Sequence, residues 1–283
     1  MLRAGDAAPA LTPVPLLAWV ASVRASLAPP VGNKLLFGAG QHKVMAVGGP
    51  NARRDFHVEA GEEFFVQLEG ELELLVVARA GAAPRAVRVC AGEAFLLPAR
   101  VPHSPQRGAR TVGLVIERER LRGELDVLRW YTAAHAPLYE EAFACTDLGA
   151  QLRPVIERFN ASAAARTGAP PAPGEVGAPC GDAEPDAPEF AAPFSLREWV
   201  AAARAGGARG AVPVWGAGEA FLWQLEGAAD VGDAGLTRDD VMLVPARAGA
   251  RALRVADGGA TLVVTNARVR GAEGAEGAEG GAA

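Results

Sequence analysis

Two histidines and one carboxylate stand at spacings that suit a metal ion. His57 is followed six residues later by Glu63 and then by a turn glycine, Gly70. A second group answers it, with Gly92, Pro98 and His103 closing another strand-like run. Two histidines and a glutamate from neighbouring strands make a facial triad, which holds iron(II) and leaves open positions for a substrate and O2. A lone histidine is more often structural than a ligand, but this grouping is hard to explain as packing.

Charged residues close to the triad extend the reading. Side chains alternate across a strand, so Arg53, Asp55, His57 and Glu59 share one face if their strand starts early enough, and Glu63, Phe65 and Gln67 share another. His103 and Arg107 are four apart in a segment made less regular by Pro102 and Pro105. Gly113, Val115 and Glu117 share a face on a later strand. If these faces line a barrel, His57, Glu63 and His103 surround a metal, with Arg53, Arg107 and Glu117 beside it. Arginine grips a carboxylate through two parallel hydrogen bonds and stays charged, so a small carboxylated substrate fits. Glu117 could take a proton as that substrate binds. Plainer readings exist for each: Arg107 as a surface residue, Arg53 as the partner of Asp55, and Glu117 as part of a solvated helix start in the charged run Glu117–Arg122. His42 and His135 lack ligand spacing and read as structural or surface residues. Cys90 reads as buried, and Trp215 and Trp223 as core.

The elements that must position these groups are mostly short strands. Leu16 to Leu27 read as a helix stopped by Pro29 and Pro30. Candidate strands follow at Lys43–Val47, Phe56–Val58, Glu63–Leu68, Leu72–Ala78, Ala86–Val89, Ala94–Leu97 and Thr111–Ile116. Such spacing predicts an antiparallel β-barrel or sandwich. Glu119 to Tyr131 and Asp147 to Arg166 carry leucines at helical intervals. Residues 168–193 are rich in proline, glycine and acid and read as a linker or surface loop. Ser195 and Glu198 form a capping box for a following helix. Further strand-like runs lie at Ala211–Val214, Ala220–Leu225, Val241–Val244, Ala252–Val255 and Thr261–Thr265. The organisation expected is a loose extension at 1–14, a site-bearing domain at 15–167, a linker at 168–193, a second domain at 194–268 and a disordered Gly-Ala-Glu tail at 269–283.

A weak repeat links the two halves. Val66-Gln67-Leu68-Glu69-Gly70 resembles Trp223-Gln224-Leu225-Glu226-Gly227, and Leu97-Pro98-Ala99-Arg100 resembles Val244-Pro245-Ala246-Arg247. The four histidines all precede the second copy, so a histidine-bound metal belongs to the first.

Composition excludes several function classes. The 283 residues are 50% hydrophobic and 22% charged, as in a soluble globular protein with a sizeable core. A net charge of -5 without a basic stripe argues against nucleic acid as a partner. No apolar run reaches the roughly 20 residues of a membrane span. Arg3 and the short apolar run Pro15–Val20 suggest a signal peptide only weakly, because Trp19–Leu27 reads better as an amphipathic helix. Cys90, Cys145 and Cys180 are scattered and odd in number, which argues for a reducing compartment.

The first half resembles the cupin superfamily. His57, Glu63 and Gly70 match its first motif, with Glu59 in place of the second histidine. Gly92, Pro98 and His103 match its second, with Arg100 replacing a glycine and Arg107 an asparagine. The closer resemblance is to the 3-hydroxyanthranilate 3,4-dioxygenase family. It rests on Asn33–Leu36, Lys43–Met45, Val47–Asn51, Gly61–Glu63, the specific stretch Phe95–Arg107, and Val112–Glu117. Asp147-Leu148-Gly149 and Gln224–Gly227 extend it to the animal-type form, over roughly residues 15 to 268.

That resemblance implies a mainly β fold of two cupin-type antiparallel β-barrels, a bicupin, joined by helices and a linker. It implies Fe(2+) held by His57, Glu63 and His103. Arg107 and Glu117 would hold the substrate's carboxylate and polar groups, with Glu63 bordering it. Arg53 would stand near the carboxylate or O2, so that Glu117 and Arg53 serve the reaction. The implied activity opens the ring of 3-hydroxyanthranilate with O2 to give 2-amino-3-carboxymuconate semialdehyde, which cyclises to quinolinate. A cytosolic monomer is implied, without the second CxxC iron site of bacterial members. The alternatives are another metal-dependent cupin enzyme and a non-catalytic, ligand-binding bicupin.

Overall fold

The computed structural model describes residues 11–27, 32–51, 53–146, 148–180, 187–206, 212–214, 218–246 and 251–265. Trp215, Asp147, Pro29, Pro30 and the Gly-Ala-Glu tail lie outside them.

Strand β1 (Val14–Pro15) leads into helix α1 (Leu16–Val23). Eleven strands follow: β2 (Asn33–Phe37), β3 (His42–Gly48), β4 (Phe56–Val58), β5 (Glu63–Glu69), β6 (Glu71–Val76), β7 (Arg85–Cys90), β8 (Glu93–Leu97), β9 (His103–Arg107), β10 (Val112–Arg118), β11 (Asp126–Tyr131) and β12 (Pro137–Phe143). Helices α2 (Leu148–Ala161) and α3 (Ala163–Thr167) come next, then β13 (Phe194–Ser195) and α4 (Leu196–Ala205). The chain closes with β14 (Val212–Val214), β15 (Ala220–Glu226), β16 (Ala228–Val231), β17 (Ala234–Thr237), β18 (Asp240–Val244), β19 (Arg251–Val255) and β20 (Ala260–Thr265). The fold is mainly β, with antiparallel sheets.

The larger unit gathers Arg24–Leu36 and Lys43–Trp199. Its two six-stranded sheets run β13-β8-β5-β10-β3-β2 and β12-β11-β4-β9-β6-β7. Phe65, Phe95, Leu97 and Val115 from the first sheet meet Leu72, Leu74, Val87 and Val89 from the second, so the core lies between them. Gly70 joins β5 to β6 at φ +68, where a Cβ would also stand 2.7 Å from Thr111 Cγ2; a residue with a side chain would be strained and crowded there. Leu152, Val155 and Phe159 of α2 pack against Leu128, Trp130 and Tyr139 of β11 and β12.

The smaller unit gathers described residues of Met1–Val23, Phe37–His42 and Val200–Ala283. Its four-stranded sheets run β1-β18-β15-β20 and β14-β19-β16-β17, around Leu222, Val231, Leu236, Met242, Val244 and Leu253.

The repeat seen in the sequence reaches into the hydrogen-bond register. Glu63 pairs with Leu97 in the larger unit, and Ala220 pairs with Val244 in the smaller. In each, the ladder to the last strand shifts after the matched glutamine, Gln67 or Gln224. Both glutamine side chains donate from Nε2 to the carbonyl two residues on, Glu69 or Glu226, at 2.7 Å.

Two expectations need correction. Glu119 to Tyr131 is not helical: Gly123 turns the chain at φ +84 and β11 begins at Asp126. Leu121 and Leu125 are exposed, so their helical spacing was coincidental, while Asp126, Leu128 and Trp130 alternate inward at the period of a strand. Cys90 is exposed rather than buried, because β7 turns Val87 and Val89 inward instead. Part of the 168–193 loop sits on the core, where Phe190 meets Phe95 at 5.7 Å between ring centres.

Candidate metal centre and its pocket

Both sheets of the larger unit contribute to one buried cluster. His57 on β4 stands opposite His103 on β9, and Glu63 opens β5 between Leu97 and Glu117. The three side chains are 3%, 2% and 5% exposed respectively. One potential ligand atom from each lies within 4.8 Å of the others.

Each histidine is held from behind. His103 donates from Nδ1 to the Val101 carbonyl at 3.0 Å, which leaves Nε2 facing Glu63 Oε2 at 2.7 Å. His57 donates from Nε2 to Asp126 Oδ2 at 2.9 Å. Burial works against the charge on Glu63, but His103 and then His57 outweigh it and hold its pKa at about 2. The His103 pKa is raised, because Glu63 outweighs the opposing effect of burial. Two imidazoles with anchored far nitrogens and one ionised carboxylate fit a divalent first-row cation.

A second set of carboxylates adjoins the first. Oxygens of Glu59, Glu63 and Glu117 also lie within 4.8 Å of one another. Burial, and then the charges of Glu117 and Glu63, push the pKa of Glu59 well above its ordinary value. A buried guanidinium already serves this cluster: Arg120 Nη1 is 3.0 Å from Glu117 Oε2, and Nη2 is 3.2 Å from Glu59 Oε2.

Arg107 ends β9 with its backbone locked. The Asn51 N–H donates to the Arg107 carbonyl at 2.9 Å, and Asn51 Oδ1 accepts from the Arg107 N–H at 2.7 Å. The side chain is buried and its Nε has no hydrogen-bond partner. Burial, and then the charge of Arg53, push its pKa down to about 10. Such a guanidinium is prepared to receive an anion. Arg53 is paired with Asp55 through Nε at 3.0 Å and also lines the pocket. Glu117 is a buried strand residue, not a solvated helix start.

One pocket brings these groups together. His57, Glu63, His103, Arg53, Arg107 and Glu117 all line it, with Asn33 and Asn51. Met45, Val47, Phe65, Pro105 and Val115 supply apolar wall from the strands, and Leu152 and Ile156 supply it from α2. A flat, apolar ring carrying polar edges suits such a lining. Sequence reasoning missed Asp126, Arg120, Asn51 and the two α2 residues. The inward alternation of Asp126, Leu128 and Trp130 was the available signal for the first. His42 lies elsewhere, buried against Glu219 Oε1 with its Nδ1 at 3.3 Å, and His135 sits in a turn at φ +63.

The smaller unit carries different residues at the matched positions. The pair His57–His103 becomes Val214–Arg251, and Leu72–Arg107 becomes Ala229–Val255. The pair Glu63–Glu117 becomes Ala220–Thr265.

Comparison with known proteins gives a consistent picture. A family model described as 3-hydroxyanthranilic acid dioxygenase matches residues 9–160. The 3-hydroxyanthranilate 3,4-dioxygenase of Bos taurus is 44% identical over 264 residues, covering 83% of this chain and 89% of that protein. The protein of that name from Homo sapiens is 54% identical over 154 residues, 54% of this chain and 53% of its own. The one from Xanthomonas euvesicatoria pv. vesicatoria is 49% identical over 158 residues, 56% of this chain and 88% of its own. Among solved structures, a cupin 2 conserved barrel domain protein from Leptotrichia buccalis aligns with 90% of this chain and 96% of that chain. Its identity is 8% and its TM-score 0.41, too loose a likeness to argue from.

Proposed function

The chain belongs to the 3-hydroxyanthranilic acid dioxygenase family, and from that membership we propose that it opens the ring of 3-hydroxyanthranilate with O2 in an iron(II)-dependent reaction. Both oxygen atoms enter the product, 2-amino-3-carboxymuconate semialdehyde, which cyclises without an enzyme to quinolinate and so feeds NAD synthesis.

His57, Glu63 and His103 hold the metal in this reading. Iron(II), when bound, supplies open positions where the substrate's amine and phenol oxygen and O2 come together. Arg107 receives the substrate carboxylate, and its unpartnered Nε is the observation that carries this assignment. Arg53 stands on the same wall and adds positive charge near the carboxylate or the O2 path. Glu117 accepts the phenol proton, and Arg120 at 3.0 Å stabilises its carboxylate while the pocket is empty of that proton. The apolar walls from Met45, Phe65, Val115, Leu152 and Ile156 would pack on the ring and exclude water, which orients the substrate.

The smaller unit serves a structural role in this reading, supported by the valine and alanine that stand where His57 and Glu63 would. We place the enzyme in the cytosol as a monomer with no nucleic-acid or membrane partner. Its three free thiols suit a reducing compartment, and no described helix is long and apolar enough to cross a membrane.

The test is anaerobic reconstitution with iron(II), then addition of 3-hydroxyanthranilate and air, following O2 uptake and the semialdehyde's absorbance together. The expected result is one O2 consumed per product formed, with both iron and activity lost in His57→Ala and His103→Ala. Bound iron without turnover would refute the assigned substrate.

A further inference from the structure

We propose that Asp126, braced by Arg120, is the positioning residue that fixes His57 as an Nδ1 donor to the metal, opposite in tautomer to His103. The proposal rests on the reading of His57, Glu63 and His103 as a metal centre.

Asp126 starts β11, which lies beside β4 with Leu128 opposite His57. Its side chain is fully buried, and it does not line the pocket. Other inward positions of β11 are filled by Leu128 and Trp130, so packing alone does not call for an acid there. Burying a carboxylate is costly unless its oxygens are matched. Three nitrogen donors match them, and the Cys145 thiol adds a further hydrogen bond. His57 Nε2 lies 2.9 Å from Oδ2, Arg120 Nη2 lies 2.6 Å from Oδ2, and Arg120 Nε lies 3.0 Å from Oδ1.

That arrangement decides a proton. An ionised carboxylate only accepts hydrogen bonds, so the hydrogen between His57 and Asp126 sits on Nε2. A neutral imidazole has one N–H, which leaves the lone pair of His57 on Nδ1. His103 is set the other way: its Nδ1 donates to the Val101 carbonyl, so Nε2 is the nitrogen it would offer a metal, giving up to the metal the place of the proton it shares with Glu63. The two ligands therefore present opposite nitrogens, one fixed by a side chain and the other by the backbone.

Arg120 ties this device to the reaction side of the pocket. The guanidinium that holds Asp126 also reaches Glu117 and Glu59. A shift in Asp126 would therefore move the group proposed to take the substrate's proton as well as the ligand.

The experiment uses the full-length protein stripped of metal. Zinc(II) and cobalt(II) affinities are measured by chelator competition for the wild type, His57→Ala, Asp126→Ala and Asp126→Asn. The asparagine keeps the shape but can turn its NH2 toward Nε2, which favours the wrong tautomer. Affinity should fall about 10- to 100-fold in both Asp126 variants, with altered cobalt(II) visible bands and a smaller change in the apoprotein's melting. Nitrogen-15 correlation spectra of the zinc-loaded wild type should show Nε2–H for His57 and Nδ1–H for His103, which needs no variant to fold. Asp126→Asn binding within about twofold of wild type with an unchanged spectrum, or Nδ1–H on His57, would overturn the proposal and leave the metal centre standing. A wild type that binds no more metal than His57→Ala would instead overturn the metal centre itself.

Discussion

Replacing Arg107 with methionine should strengthen the empty protein while it weakens the substrate's hold. The guanidinium is buried, its Nε is unpartnered, and burial with Arg53 pushes its pKa from 12.5 down to about 10. At about 1.4 kcal/mol per pH unit, keeping that charge inside costs on the order of 3 kcal/mol. The penalty is present in full below the folded pKa and fades only above it, so it operates at neutral pH. Methionine of similar length removes the charge and keeps most of the packing, and such exchanges of buried ions for apolar groups often stabilise by about 1–4 kcal/mol. Allowing for lost contacts, a net gain of about 1–2 kcal/mol is expected, which raises the melting temperature by a few degrees, at about 2–4 °C per kcal/mol for a domain of this size. Substrate binding should move the other way. A desolvated carboxylate that loses its charged partner forfeits about 2–5 kcal/mol, so affinity should fall at least about 30-fold. Apoprotein melting and anaerobic calorimetry with 3-hydroxyanthranilate measure the two sides separately, and metal content should be unchanged. A variant that melts lower and still binds the substrate as tightly as wild type would refute both the strain and the carboxylate assignment.

Two other perturbations probe the frame. Phe159 of α2 stacks on Trp130 with ring centres 4.1 Å apart; Phe159→Ala should cost about 3–5 kcal/mol. Because the same helix carries Leu152 and Ile156 to the pocket wall, KM for the substrate should rise more than kcat falls, which steady-state kinetics will show. Acid should destabilise the apoprotein through Glu63, whose pKa lies near 2 instead of 4.5 because the two histidines outweigh burial. A lowered carboxylate pKa contributes stability that is complete above pH 4.5 and is lost as pH falls toward 2, here on the order of 3 kcal/mol. Glu63→Gln should flatten that part of the unfolding curve, and an unchanged acid midpoint would contradict the pairing.

Much of the positioning machinery could be read from residue patterns alone. Short apolar runs between glycines marked β3 to β8 and β10 closely, because inward alternation and turn residues are local signals. The repeat around Gln67 and Gln224 was visible because each glutamine does the same job at the same bend. His57, Glu63 and His103 stood out because their spacing was unusual for packing, and Arg53 and Arg107 followed from the strand faces they would share. Strand β9 was obscured by Pro105, which sits within a paired strand opposite Leu74. The failure at 119–131 had a larger consequence. Leucines three and four apart imitated a helix, and a helical reading sends Asp126 to no particular face. Its partnership with His57 spans 69 residues, and no short-range pattern reports such a contact. Arg120 carries no signal of its own either, because a run of arginines and glutamates looks solvated until the fold closes over it.

The matched registers of the two units have a consequence for how the chain can be engineered. At the place of the costly Arg107 the second frame has Val255, and at the place of Glu63 it has Ala220. The chain thus carries its own control: a frame of matched register against which Glu63, Arg107 and Glu117 can be exchanged for Ala, Val and Thr at the paired positions Ala220, Val255 and Thr265.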